Sequence, residues 1–144
     1  MHRLITLITA LFIVACSAGS GDGLDASGRP IGETPPPGDE PTLANIQARI
    51  FTPICTRCHI GAAAPQGLRL DVANAFANLV NVPSQEVGLL RVEPFMPDVS
   101  YLVRKVEGTQ SVGAQMPFEG PPLSDADQLL IRQWVANGAM PDAL

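Results

Sequence analysis

Cys55-Thr56-Arg57-Cys58-His59 brings two thiols and an imidazole together in one short stretch, and its C-x-x-C-H spacing is that of covalent haem attachment. On a helical turn Cys55 and Cys58 are neighbours, so both sulfurs can form thioethers to the two vinyl groups along one porphyrin edge. His59, four residues after Cys55, falls on the same side, where its imidazole can reach the iron as the proximal ligand. Two other chemistries compete for these residues. Zinc would need about four Cys, His or carboxylate ligands, and the other cysteine and histidine, Cys16 and His2, lie in a segment that reads as an export signal. A thioredoxin-like dithiol belongs in a βαβ context, whereas residues 44–54 and 71–80 read as helices. The expected cofactor is one covalently bound haem c.

The elements that must position this turn read as helices throughout. Thr42, after Pro41, is a competent N-cap, and Leu43, Ile46, Ile50 and Ile54 follow at spacings of three and four as one apolar face. Pro53 ends or kinks that helix just before the pentad. Asp71 caps a second helix with Val72, Phe76, Leu79 and Val80 on one side, stopped by Asn81 and Pro83. A third runs from about Asp98 to Glu107, with Leu102, Val103 and Val106 inward and Gly108 as its stop. The last begins at Ser124, places Asp125 and Asp127 at the positive end of the dipole, buries Leu130, Ile131, Trp134 and Val135, and ends with Gly138 at C′ and Pro141 beyond. No segment reads convincingly as a strand, so the fold class is all-α. Residues 42–144 suffice for one domain but barely for an independent core. Aromatic residues are sparse: Phe51, Phe76, Phe95, Tyr101, Phe118 and Trp134. Haem would supply apolar mass, and folding is expected to depend on it.

Upstream of the domain, Met1-His2-Arg3 is a basic start to the apolar run 4–14, too short for a bilayer span of about 20 residues and shaped like a signal-peptide core. Ile13-Val14-Ala15-Cys16 resembles the bacterial lipobox, in which the cysteine is lipidated after cleavage. Residues 1–15 are thus expected to be a lipoprotein signal peptide, with cleavage near Ala18 as the alternative. Residues 16–41 read as a lipid-anchored Gly/Pro-rich linker, with Gly19, Gly21, Gly23, Gly28, Gly32 and Gly38 and the run Pro35-Pro36-Pro37. As a flexible coil it would reach about 30 Å. Of three cysteines, two are then assigned to haem and Cys16 to lipid. Both assignments place the protein outside the cytoplasm, on the periplasmic side of a membrane, and Ser17 resembles the outer-membrane sorting preference.

Loss of residues 1–15 would leave eight basic and fourteen acidic residues, a net charge of −6. Five of the acids lie in the linker with Arg29 alone against them, so the domain carries only −2. That balance argues against nucleic acid as a partner.

Several segments of the domain carry a resemblance: Ala64-Pro65-Gln66-Gly67-Leu68, Ser100-Tyr101-Leu102-Val103-Arg104-Lys105, Met116-Pro117 with Gly120-Pro121-Pro122-Leu123-Ser124, and Trp134-Val135-Ala136-Asn137-Gly138-Ala139. Together with the pentad they resemble class I cytochrome c domains of a bacterial subgroup, over residues 43–139. The resemblance implies about four helices wrapped around the haem, the first and last crossing near its edge, and a methionine entering from the loop before the last helix.

With no histidine other than His59 in the exported chain, the second axial ligand must be something else, and methionine is the natural candidate. Met96-Pro97, Met116-Pro117 and Met140-Pro141 share the extended geometry that a following proline favours, so position decides. Met140 lies near a chain end, where fraying is expected, and Met96 stands beside the third helix. Met116 lies in a loop between Gly113 and Gly120 that can cross the distal face, and occupies the position the resemblance implies. His59 and Met116 are therefore the expected axial pair, with Met96 second. Pro65 could offer its carbonyl to the other imidazole nitrogen of His59, and Arg69 and Tyr101 could reach the propionates. Trp134 reads as packing mass.

A six-coordinate iron has no open site, which favours single-electron transfer between redox proteins over catalysis. The chain is thus expected to be a membrane-anchored carrier, not an enzyme, with redox partner proteins and no small-molecule substrate. The alternatives are a five-coordinate haem domain that senses or reduces a small ligand such as peroxide, and a haem relay subunit of a larger oxidoreductase complex.

Overall fold

The computed structural model describes residues 38–142; the expected signal peptide, Cys16 and most of the linker lie outside the described residues. Four α-helices occur: α1 (Leu43–Ile46), α2 (Ala75–Leu79), α3 (Tyr101–Glu107) and α4 (Asp125–Ala136). Among the described residues there is no strand, only isolated bridges at Val80 with Val92 and Pro83 with Leu90.

The first helix starts where its cap predicts. The Thr42 side chain accepts from the Asn45 amide, and Leu43, Ile46, Ile50 and Phe51 are buried. From Gln47 to Phe51 the helix widens into a π-turn, with the Thr52 amide donating to the Gln47 carbonyl at 2.9 Å. Pro53 supplies the reason: its ring would collide with the carbonyl four residues back, and it brings no donor of its own. The side chain of Gln47 is buried in the same place and donates to Thr52 Oγ1 and the Leu70 carbonyl, both at 2.9 Å.

Helix α4 forms the opposite wall. Ser124 Oγ accepts from the Asp127 amide at 3.2 Å, a cap contributing about 1 kcal/mol. Leu130, Ile131, Trp134 and Val135 are buried, each contributing roughly 1.5–3 kcal/mol by leaving water. Arg49 pairs with Asp127 to join α1's continuation to α4. Arg132 joins α4 to α3 through both carboxylate oxygens of Glu107, at 2.7 and 3.0 Å, and reaches Asp98 at 2.8 Å. This clamp holds the Arg132 guanidinium protonated well above its already high range.

At the end of α4, Gly138 adopts φ +97°, and a Cβ there would lie 2.6 Å from Phe95 Cζ. The Phe95 amide donates to the Val135 carbonyl at 2.9 Å, which fixes that ring's origin over the glycine. Gly138→Ala therefore combines left-handed strain with a clash, although the ring is exposed and can swing. A loss of about 1–3 kcal/mol is expected, read as a lower urea midpoint at an unchanged m-value.

Two expectations need correction. The second helix is shorter than its apolar spacing suggests, because Asp71 opens a turn and α2 proper begins only after Asn74; Val72 lies on that turn and is 78 % exposed. The third is a short 3-10 turn over Pro97–Val99 followed by α3, which Ser100 separates. The segment 80–92 has structure that no periodicity announced. It folds back on itself, and its Leu90 and Arg91 carbonyls accept the Tyr101 and Leu102 amides at 3.0 and 2.9 Å, satisfying donors that a helix start leaves open.

Candidate functional site

The pentad follows the π-turn as a tight 3-10 turn, Cys55–Arg57. The amides of Cys58 and His59 both donate to the Cys55 carbonyl, at 3.2 and 2.9 Å, which places the three residues on one turn. Neither cysteine is in a disulfide; Cys55 is half-buried and Cys58 exposed. Burial pushes the Cys55 thiol up to about 11, so it rests protonated. Ile54, Leu68, Phe76, Val80 and Leu102 are likewise partly exposed while packed on the core. Half-covered apolar groups of this kind gain stability from further burial.

His59 is oriented from behind. Its Nδ1 lies 3.1 Å from the Leu68 carbonyl, and since a carbonyl only accepts, this bond places the proton on Nδ1 and leaves the Nε2 lone pair for a ligand role. The expected partner was the Pro65 carbonyl; that oxygen instead accepts the Leu68 amide at 3.0 Å, because Pro65 opens a short 3-10 turn whose closure turns the next free carbonyl, that of Leu68, to the ring. Burial lowers the proton affinity of His59, the Leu68 bond raises it, and the Arg91 and Lys105 cations lower it again, with a net downward shift. A neutral imidazole is the form that binds a metal.

The methionines are placed unequally. Met96 and Met140 are 50 % and 65 % exposed, and Met116 is half-buried with its amide donating to the Lys105 carbonyl at 2.8 Å. Lys105 thus touches the Met116 loop directly and His59 through its field. Tyr101 turns its hydroxyl to the Val112 carbonyl at 2.7 Å, so it braces the same loop, while Arg69 is exposed. Trp134 is buried in the core and donates its indole N–H to the Met140 carbonyl at 2.9 Å.

Two cations of this region were not foreseen as buried. Arg91 donates to the Asn78 and Gln66 carbonyls at 2.9 and 2.6 Å and has no carboxylate within ion-pair distance among the described residues. Lys105 is buried beside Glu86 at 3.0 Å. The signal for Lys105 was its place one turn after Tyr101, on the inward side of α3.

The residues present fit covalently bound haem: two unbridged cysteines on one turn, an imidazole whose Nε2 is left unprotonated, and apolar side chains that the core leaves half-covered. Among the described residues no group of three or more His, Cys, Asp or Glu side chains is arranged to hold a metal ion, and no helix is long and apolar enough to cross a membrane. Comparison with protein-family models, with curated proteins and with solved structures returned no match.

Proposed function

We propose that this chain is an extracytoplasmic monohaem c-type cytochrome of class I-like fold, anchored through a lipid on Cys16, that passes single electrons between redox proteins. The observation that carries the reading is the pentad turn, on which Cys55 and Cys58 stand unbridged while the Leu68 carbonyl leaves His59 Nε2 free. Bound haem would supply a one-electron couple at its iron.

The chain's own residues do the rest. Cys55 and Cys58 would tether the group, Cys55 from a half-buried position packed on the core. His59 is held in one tautomer and one orientation by the Leu68 carbonyl, which makes it a stronger donor. Met116 would supply the second ligand to the iron, from a loop tied through the Met116 amide to the Lys105 carbonyl. Iron held by both side chains would have no open position, which suits a carrier, and a thioether ligand would favour a higher potential.

Expression of the full chain in a host that matures exported haem proteins tests this. The expected result is one covalently attached haem c per chain by the pyridine haemochrome assay, retained after acid-acetone extraction. Fully matured protein with only extractable haem, or none, overturns the reading.

A further inference from the structure

We propose that Lys105, paired with Glu86, is the positioning residue for Met116: a buried ammonium that fixes the shape of the 112–116 loop and so the approach of the methionine sulfur. The inference rests on the reading of Met116 as an axial ligand. One residue grips this loop twice. The Lys105 side chain donates to the Val112 and Ala114 carbonyls, both at 3.3 Å, and its main-chain carbonyl accepts the Met116 amide at 2.8 Å. Glu86, from the 80–92 segment, takes the remaining N–H at 3.0 Å, so the three donors of the ammonium meet three acceptors.

The surroundings leave the loop little alternative. Tyr101 shares the Val112 carbonyl and lies with its ring centroid 5.4 Å from Lys105 Nζ. The Gln115 amide group donates to the Val106 carbonyl at 3.0 Å. Gly113 takes φ +70°, and a Cβ there would stand 2.6 Å from Lys105 Nζ and 2.7 Å from Glu86 Oε1; the loop lies directly on the ion pair. A buried pair of this kind seldom stabilises a fold more than apolar residues of the same volume would. What it does provide is direction, since an ammonium with three fixed acceptors permits one loop path.

The test uses the full chain matured with haem, as wild type, Lys105→Met and Glu86→Gln. Lys105→Met keeps the apolar stem and removes the charge and donors. Three quantities are read: the methionine-to-iron charge-transfer band of the ferric protein, the reduction potential, and hydrogen exchange at the Met116 amide. In Lys105→Met the band is expected to fade, the potential to fall, and the Met116 amide to exchange about tenfold faster or more, with covalent haem still one per chain. Glu86→Gln breaks the pair from its acidic side, in the 80–92 segment, and carries the same expectation in smaller measure, which keeps the test decisive if Lys105→Met does not accumulate. Unchanged band, potential and exchange in these variants overturns the proposal while the Met116 reading stands. A wild type without the band overturns both.

Discussion

The double variant Cys55→Ser/Cys58→Ser is expected to leave an export-competent host with no covalently bound haem and with a domain several kcal/mol less stable than wild type. The size of the effect follows from what the tether replaces. The core is built mainly of aliphatic side chains from the helices and the segments between them, with Phe51, Tyr101 and Trp134 the only buried aromatic residues among those described. A domain of this length has little stability to spare, on the order of 5–15 kcal/mol in total. Ile54, Cys55, Leu68, Phe76, Val80 and Leu102 remain half-covered on the core. Each half-exposed side chain of this size leaves roughly 1 kcal/mol of burial unrealised, so a ligand that covers several of them gains several kcal/mol. A covalent tether makes that gain independent of free ligand concentration, which a reversible complex cannot. Far-UV circular dichroism during urea unfolding, beside a haemochrome assay of the same sample, reads both effects. A double variant that unfolds at the wild-type midpoint would show that the thiols serve something other than attachment. The single variants should separate: Cys58 is exposed and Cys55 packs on the core, so loss of Cys55 is expected to disturb the placement of haem more.

What the sequence disclosed depended on how far each signal had to travel. Helix ends announce themselves through residues next to them. Thr42 and Ser124 cap where their types predict, and Gly108 and Gly138 take the left-handed angles that ended α3 and α4 on paper. The pentad is equally local, since its meaning lies in a spacing. The carbonyl that meets His59 Nδ1 was not, because Pro65 and Leu68 stand one 3-10 turn apart and only the closure of that turn decides which carbonyl faces the ring. Harder still was the 80–92 segment. It has neither helical nor alternating periodicity, and its order comes from carbonyls given to α3 and from Arg91 reaching Asn78 and Gln66. Charged residues inside the core follow the same rule. Lys105 stands one turn after Tyr101, but its partners Glu86 and the 112–116 loop are brought to it only by contacts distant in sequence.

Replacing the three candidate methionines one at a time should give one large effect and two small ones. Met116→Ala is expected to abolish the methionine-to-iron band, lower the reduction potential and open the iron to added small ligands, because removal of the sulfur leaves a coordination position without a side chain. Met96→Ala and Met140→Ala should leave spectrum and potential close to wild type. The argument is one of placement. Met96 and Met140 spend half or more of their surface in solvent, and a thioether swinging freely loses rotamer entropy, up to about 2 kcal/mol, on being fixed at a metal. Met116 is half-buried, and its loop is held by its amide on the Lys105 carbonyl and by the Lys105–Glu86 pair, in a different place from the other two methionines. Met140 is further committed through its carbonyl, which accepts from Trp134, and Met96 through its own, which accepts from Ser100 Oγ at 2.9 Å. Both are thereby anchored to the far end of α4 and the start of α3. The decisive comparison is between Met116→Ala and Met96→Ala in the ferric state: transfer of the effect to Met96 would move the second ligand to the other loop, and an unchanged spectrum in all three variants would mean that the iron is held by His59 alone, as in a ligand-binding haem domain.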